Sequence, residues 1–423
     1  MAVLNKIMIP DKEKVLQRLK WLWLLLVPSL RRLILTVVIA TLVSVIGVLI
    51  YNSPPSLYTS YELVINWSYD PRVLIPFDSN FTYNILLDSH CHTTYSDGSL
   101  TPEQNIQWHI ANGYNAMFVT DHNTLSGGIE TQKIAREKYN DQIKVLVGYE
   151  WSNCRVHLNF IGINESITPI QDPTDEEIQD AINQAHQQGG IVVYNHRPWS
   201  YWANLGQPTV QQFASWGVDY FDIANTYYFD MQTFLYAREN GFGITTANDF
   251  HGGTQATGWT LLNKENVTNY NSSAPINASY FTEEDLFQLF KQKKTSFLYQ
   301  VTGSGYDVGS KLTKNPKYNF YSPWIKVGSF FHSFYSLQRG AASFVNGGSC
   351  GSQTVTIDES AIKSCVLWFV VLFLLGEIFR SIIMFIVKYI KMKRAQRAQS
   401  SRTIKEWQED FGVVDQPLLN LEL

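Results

Sequence analysis

The chain has 423 residues, 45% hydrophobic and 14% aromatic, with a formal net charge of −4 at pH 7. That length and apolar content supply a core for one large domain or two ordinary ones. Lysine and arginine crowd the two ends (Lys12, Lys14, Arg18, Lys20, Arg31 and Arg32; then Lys388, Lys391, Lys393, Arg394 and Arg397) while the middle is acidic, which argues against nucleic acid as a partner, because phosphates need a basic face.

Residues 1–32 read as a cytoplasmic N-terminal segment, in which 21–27 is too short to span a bilayer and is an interfacial stretch broken by Pro28. Residues 33–51 (LILTVVIATLVSVIGVLIY) carry no charge and match the roughly 20 residues a spanning helix needs. Arg31 and Arg32 precede them, which by the positive-inside rule leaves the N-terminus cytoplasmic. The long leader and the lack of a small-x-small site distinguish this stretch from a cleaved signal peptide. Residues 52–81 form a linker whose part 61–67 alternates like a strand.

From residue 82 to 302 short apolar runs alternate with amphipathic stretches, which predicts an α/β domain with a mainly parallel sheet covered by helices. The runs are 84–87, 116–120, 144–147, 157–163, 190–194, 220–224, 242–246 and 295–299. Thr101, Pro102 and Glu103 read as N-cap, N1 proline and first-turn acid of a helix ending at Gly113. Thr174 to Glu177 and Thr282 to Asp285 have the form of capping boxes.

The strand ends carry the chemistry. Asp88, His90 and His92 are spaced two apart, so one strand face presents all three. Ser96-Asp97-Gly98 turns, and the next strand ends in Asp121-His122-Asn123. Later ends deliver Glu150, His196 beside Arg197, and Asp249 with His251, while His157 opens a run. A lone histidine is more often a core or surface residue than a ligand, and His109, His186 and His332 fit that reading. Six histidines recurring at strand ends do not.

Beyond the domain, residues 303–364 are a juxtamembrane extension that either adds a strand or connects to the second span. Residues 365–388 form that span, and 389–423 a basic cytoplasmic tail. Glu377 and Arg380 lie three apart inside it, on one helical face, as a pair that could meet a partner helix. Acceptor sequons at Asn66, Asn80, Asn164, Asn266, Asn271 and Asn277 fall only between the spans, which places the domain on the lumenal or extracellular side. Four cysteines are too few for a disulfide framework. Cys91 reads as packing, and a bond from Cys154 or Cys350 to another cysteine stays open.

The ordered set D-S-H-C-H, S-D-G-S-L-T-P-E, T-D-H-N-T, G-Y-E, H-L-N-F-I-G, N-H-R-P and N-D-F-H-G resembles the PHP (polymerase and histidinol phosphatase) family of metal-dependent phosphoesterases. The resemblance implies a distorted (β/α)7 barrel, here flanked by transmembrane helices, with two or three divalent transition metals at the C-terminal face. It implies that His90, His92, Glu150 and Asp249 hold one ion, that Glu150 bridges to a second held also by His157 and His196, and that Asp97, His122 and His251 hold a third. Imidazole with carboxylate suits Zn²⁺, Mn²⁺ or Fe²⁺. Asp88 and Asp121 read as groups that orient the histidines. N-H-R-P departs from the commoner His-Pro and inserts Arg197, which is either a phosphate clamp or a surface ion pair. Glu150, Asp249 and Arg197 are thus the candidate catalytic groups. The expected activity is hydrolysis of a phosphate ester on a phosphorylated small molecule or lipid headgroup beside the membrane. An amidohydrolase-type hydrolase is the rival, although no lysine ends a strand to serve as its bridge. A catalytically inactive metal-binding scaffold is the other.

Overall fold

In a computed structural model of the chain, residues 12–53, 59–63, 65–253, 255–267, 272–305, 310–314, 316–338, 340–352 and 354–410 are described. In chain order the elements are α1 (Lys12–Tyr51), β1 (Thr59–Leu63), β2 (Ile85–Cys91), α2 (Pro102–Ala111), β3 (Ala116–Val119), α3 (Ser126–Lys138), β4 (Lys144–Ser152) and β5 (His157–Ile161). Next come α4 (Asp175–Gln187), β6 (Ile191–Tyr194), α5 (Arg197–Trp202), α6 (Val210–Ser215), β7 (Tyr220–Asn225), β8 (Tyr228–Phe229), α7 (Met231–Asn240) and β9 (Gly243–Ala247). The chain continues with β10 (Gly258–Leu262), α8 (Glu283–Lys291), β11 (Ser296–Tyr299), β12 (Ser310–Lys314), α9 (Pro316–His332) and α10 (Glu359–Asp410). It divides into two compact units, one of Met1–Ser53, Tyr321–Ser336 and Ile357–Leu423, the other of Pro54–Phe320 and Leu337–Thr356.

In the first unit, Val27–Tyr51 and Glu359–Trp407 are long and apolar enough to cross a membrane, by length and composition. One expectation needs correction. Pro28 lies inside α1 and does not break it; a proline removes one backbone hydrogen bond, and the turns on either side carry the helix through. The basic tail is helical as far as Asp410, with 411–423 outside the described residues. Glu377 is held from α1: Arg32 Nε donates to its Oε1 and Arg32 Nη2 to its Oε2, both at 2.6 Å, and Ser29 Oγ donates at 3.1 Å. Arg380 Nη2 adds a bond of 3.0 Å. A Cβ at Gly328 would fall 2.2 Å from the Gly47 carbonyl oxygen, so only glycine allows these helices to approach so closely.

The second unit is mixed α/β. Its main sheet runs β11-β10-β2-β3-β4-β5-β6-β7-β8, with β9 paired to β7. It curls until Cys91, at the end of β2, bridges Phe250 beyond β9, and Thr260 Oγ1 of β10 joins both the amide and the carbonyl of Thr246. The sheet is less parallel than expected, because β5 runs antiparallel to both β4 and β6. Only Asn153 to Val156 separate β4 from β5, and a parallel return needs a crossover of a dozen residues or more. Strand β10, which the periodicity does not reveal, pairs antiparallel to both β2 and β11.

Both faces of the central strands are covered, hence their continuous apolar runs. Leu86 of β2 packs in a cluster with Ile106 and Trp108 of α2, whereas Ile85 and Leu87 pack with Leu286 and Phe290 of α8. The capping signals are realised. Thr101, Thr174 and Thr282 cap α2, α4 and α8 with reciprocal bonds from Gln104, Glu177 and Asp285. The extension does not join the main sheet: β12 pairs with β1 instead, and Cys350 forms a disulfide with Cys154. Asn66, Asn80, Asn164 and Asn266 are exposed and Asn277 half-buried, while Asn271 lies outside the described residues.

Candidate metal centre

All nine sequence-predicted ligands converge on the sheet rim where β2, β3, β4, β6 and β9 end. His157 joins them because β5 runs the other way, so the start of that strand meets the ends of its neighbours. Among the described residues, four groups have donor atoms within 4.8 Å of one another: His92, Asp97, His122 and His251; His90, His92 and Glu150; His90, His196 and Asp249; His122, Glu150 and His157. The groups overlap more than the three expected sets do. His92 reaches towards Asp97 and His251, and His196 joins Asp249 as well as Glu150.

Glu150 is the hub, with no solvent exposure. Its Oε1 lies 3.3 Å from His90 Nε2, 3.3 Å from His157 Nδ1 and 3.1 Å from His196 Nε2. Its Oε2 lies 2.6 Å from His122 Nδ1 and 3.6 Å from His92 Nε2. Asp249 Oδ1 approaches His92 Nε2 at 3.0 Å and His90 Nε2 at 3.3 Å, and Asp97 Oδ1 approaches His251 Nε2 at 3.1 Å. His196 (φ 25°) and Asp249 (φ 49°) hold left-handed backbone, which costs a non-glycine residue about 1–3 kcal/mol and clusters at functional sites.

The donors fit divalent cations. His157 is buried yet neither ring nitrogen has a hydrogen-bond partner; its Nδ1 is within ion-pair distance of Glu150 but not aligned to bond it. His90 Nε2 and His92 Nε2 face each other at 3.0 Å, an arrangement with room for one shared proton or for a cation beside both. Leaving a buried polar group unpaired costs about 1–3 kcal/mol, and a bound cation would remove that cost. An all-nitrogen-and-oxygen set suits Zn²⁺, Mn²⁺ or Fe²⁺.

The protonation states follow from this crowding. Burial disfavours the His90 imidazolium, but Asp249 and Glu150 outweigh it and hold its pKa up at about 9. Burial likewise opposes the charged form of His251, and Asp249 and Asp97 carry it up to about 10. Burial, with His251 and His122 alongside, pushes His92 down to about 3. Burial raises and the surrounding imidazoles lower the carboxyls of Glu150 and Asp249, and the imidazoles prevail, holding both well below the usual carboxylate range. His90 and His251 therefore hold protons at neutral pH until a cation displaces them. Loading the metal-free protein at pH 7 is expected to release about two protons, and affinity should climb with pH towards 9–10. Calorimetric titration in buffers of different ionisation enthalpy measures this; proton-neutral binding would contradict it.

Neither Asp88 nor Asp121 bonds a ligand imidazole, but Asp88 Oδ1 accepts from the backbone amide of His90 at 3.2 Å and so orients that ligand through its main chain. Asp88 accepts from Asn248 Nδ2 at 2.7 Å and the Asn248 amide at 3.2 Å, and lies 3.0 Å from His109 Nε2. It braces the end of β2 against β9 and α2, touches no ligand imidazole, and gives His109 a buried role. A register irregularity between Asp88 and Cys91 explains why simple alternation misplaces it. Asp121 accepts from the Thr93 amide, Thr93 Oγ1 and Ser96 Oγ at 2.7, 2.8 and 2.6 Å, fixing the loop that carries Asp97. Cys91 is buried and its thiol faces the Phe118 carbonyl, as a packing residue.

Arg197 does not join the cluster. Its Nη1 donates to Asp230 Oδ2 at 3.0 Å and its Nη2 to Gln232 Oε1 at 3.2 Å. Arg197→Ala is expected to lower stability by about 1–3 kcal/mol, because buried Asp230 loses a charged donor, with metal content unchanged. Urea unfolding and elemental analysis check this together, and a lost ion would tie Arg197 to the centre after all.

Several groups escaped sequence reasoning. Asn195 Nδ2 donates to Glu150 Oε1 at 2.9 Å, and Ser152 Oγ lies 3.1 Å from Glu150 Oε2 and 2.7 Å from His122 Nδ1. Ser152 sits two residues after Glu150 on the same strand face, a signal present in the sequence. Asp222 Oδ2 accepts from the His196 amide at 3.4 Å and from Asn225 Nδ2 at 2.9 Å, and burial pushes its carboxyl up to about 7. An acid inside the apolar strand β7 was its signal. Trp199, by contrast, stands out in the sequence as an aromatic that follows a strand end, and it lies 5.0 Å from the His196 ring and 5.4 Å from His157.

The chain is similar to an uncharacterized protein of Methanocaldococcus jannaschii, with 27% identity over 124 residues, 27% of this chain and 67% of that protein. It is 33% identical over 81 residues to a 5′-3′ exoribonuclease of Haemophilus influenzae, spanning 18% of this chain and 28% of the enzyme. Among solved structures, a two-domain Bacteroides vulgatus protein containing a predicted PHP-like metal-dependent phosphoesterase aligns with a TM-score of 0.40 and 13% identity, covering 66% of this chain and 75% of that one. Residues 88–224, which hold His90, His92, Asp97, His122, Glu150, His157 and His196, match the family model described as the PHP domain.

Proposed function

We propose that the protein is a membrane-anchored, metal-dependent phosphoesterase that hydrolyses a phosphate ester on the lumenal or extracellular side, on a curled PHP-type sheet of ten strands rather than the expected seven. The observation that carries this reading is the convergence of nine nitrogen and oxygen donors around the buried carboxylate of Glu150. Divalent cations held there would supply Lewis acidity and a water deprotonated near neutral pH. Glu150 contacts five imidazoles and would offset the repulsion between neighbouring cations. Asp249, on a strained backbone, presents its carboxylate to His90 and His92. Asn195 and Ser152 hold the two oxygens of Glu150 in place. Arg197, engaged by Asp230 and Gln232, reaches a phosphate only by leaving that pair, so catalysis rests on Glu150 and Asp249.

The amidohydrolase reading needs a lysine as its bridge, and the Glu150 carboxylate stands in that place, between His90, His122, His157 and His196. An inactive scaffold has no reason to keep nine donors in register. Likeness to a 5′-3′ exoribonuclease favours a phosphodiester over a monoester, although the acidic middle of this chain speaks against a long nucleic acid. The apolar helices and exposed sequons support the anchored topology, with a phosphorylated small molecule or lipid headgroup as substrate. Elemental analysis of the purified chain with a panel of phosphomonoesters and diesters tests the activity, and endoglycosidase shifts test the side. Metal-free protein, or metal-loaded protein inert on every ester, would refute the assignment.

A further inference from the structure

Outside the region matched by the family model, the extension places an aromatic ring on the metal centre. Phe344 stacks on the His122 imidazole with ring centroids 3.5 Å apart and planes 15° from parallel, and lies 6.2 Å from His157. His92 stacks on the same imidazole at 4.3 Å and 28°. Two rings so close and so nearly parallel cannot share one face, so His122 is held between them.

The loop that carries Phe344 is built to stay there. Ala342 bridges Ser349, the Cys350 amide donates to Ala341, and the Ser343 amide donates to Gly348, closing a tight hairpin. The Cys154–Cys350 disulfide ties its end to the loop after β4. Asn123, next to His122, donates from Nδ2 to the Phe344 carbonyl at 3.0 Å and to the Ser152 carbonyl at 2.9 Å, and accepts from the Ser152 amide at 3.0 Å. Phe344 (φ 55°) and Asn123 (φ 53°) both hold left-handed backbone, which is disfavoured for a bulky side chain. Ser343 and Val345 on either side are buried.

We propose that Phe344 is a positioning residue of the metal centre: the disulfide-tied hairpin presses its ring onto His122 and sets that imidazole for the cation shared with His92, Asp97 and His251. This rests on the centre being a metal site, not on its turnover. Glu150 Oε2 and Ser152 Oγ of β4 meet His122 only at Nδ1, so its plane needs a second support. The Phe344 face and Ser152 Oγ at Nδ1 together fix both its plane and its rotation, which a ligand needs for affinity.

The test is chelator competition with Mn²⁺ alone on the full chain, without substrate. Phe344→Ala should weaken the weakest-bound ion about 10-fold or more, the range in which supporting groups act, and leave the others unchanged. Phe344→Tyr should restore it, and Cys154→Ser/Cys350→Ser should reproduce the alanine variant. Phe344→Ala should add nothing to His122→Ala yet add fully to His196→Ala, a coupling that a merely structural loss would not show. Because Phe344→Ala keeps the disulfide, the result does not depend on the cysteine variant folding. Wild-type affinities in Phe344→Ala, full additivity with His122→Ala, or a chain that binds no Mn²⁺ would each overturn the proposal. Normal binding with no hydrolysis of any ester would refute only the phosphoesterase.

Discussion

Glu150→Gln should reduce hydrolysis by about 10³-fold or more, the scale on which single catalytic groups act, with the far-UV circular dichroism unchanged. The substitution keeps volume and shape and removes one charge. That charge faces His90, His92, His122, His157 and His196, so all four donor groups change character, two by direct loss of the carboxylate and two through imidazoles that face it. The amide also turns an N–H donor towards an imidazole nitrogen or towards Asn195. Elemental analysis should show at least one ion fewer. A variant that keeps full activity or full metal content would remove Glu150 from the centre of the mechanism.

Chelation should destabilise the metal-binding domain strongly and reversibly. Ions that bind only the folded chain stabilise it by about 4 kcal/mol each when free metal exceeds Kd by about 1,000-fold. For a domain of this size about 1 kcal/mol corresponds to roughly 2–4 °C, so losing one such ion should lower Tm by about 8–16 °C. Acid should act in the same direction. His90 and His251 keep their protons up to about 9 and about 10 without metal, so falling pH favours the metal-free form. Re-addition of Mn²⁺ or Zn²⁺ at pH 8 should restore Tm. A Tm insensitive to both chelator and metal would mean that the donors sit together without binding a cation.

Much of this centre is legible in the linear chain, because strand periodicity and strand ends are local properties. His90 and His92 two apart, the helix capped by Thr101, and acids and imidazoles recurring after apolar runs all follow from backbone geometry within a few residues. The order of the motifs was enough to nominate all nine donors. Their grouping was not, because it depends on how far the sheet curls and on the antiparallel direction of β5, which brings His157 to the rim that the other strands reach with their ends.

Side chains whose partners lie far away in sequence were decided by the tertiary structure alone. Arg197 offered a clamp or an ion pair, and the position of Asp230 33 residues later determines which contacts it makes. Cys154 found Cys350 across a separation of 196 residues. Glu377, read beside Arg380, is held by Arg32 of the first helix. Phe344 has no local signal at all, since one phenylalanine in a glycine-rich extension looks like any other. The sequence by itself therefore determined which residue types stand at the strand ends, and with them the chemistry on offer. The fold decided which of them touch, because contact between distant segments is set by register, strand direction and sheet curl, and none of these is written in a short window of residues.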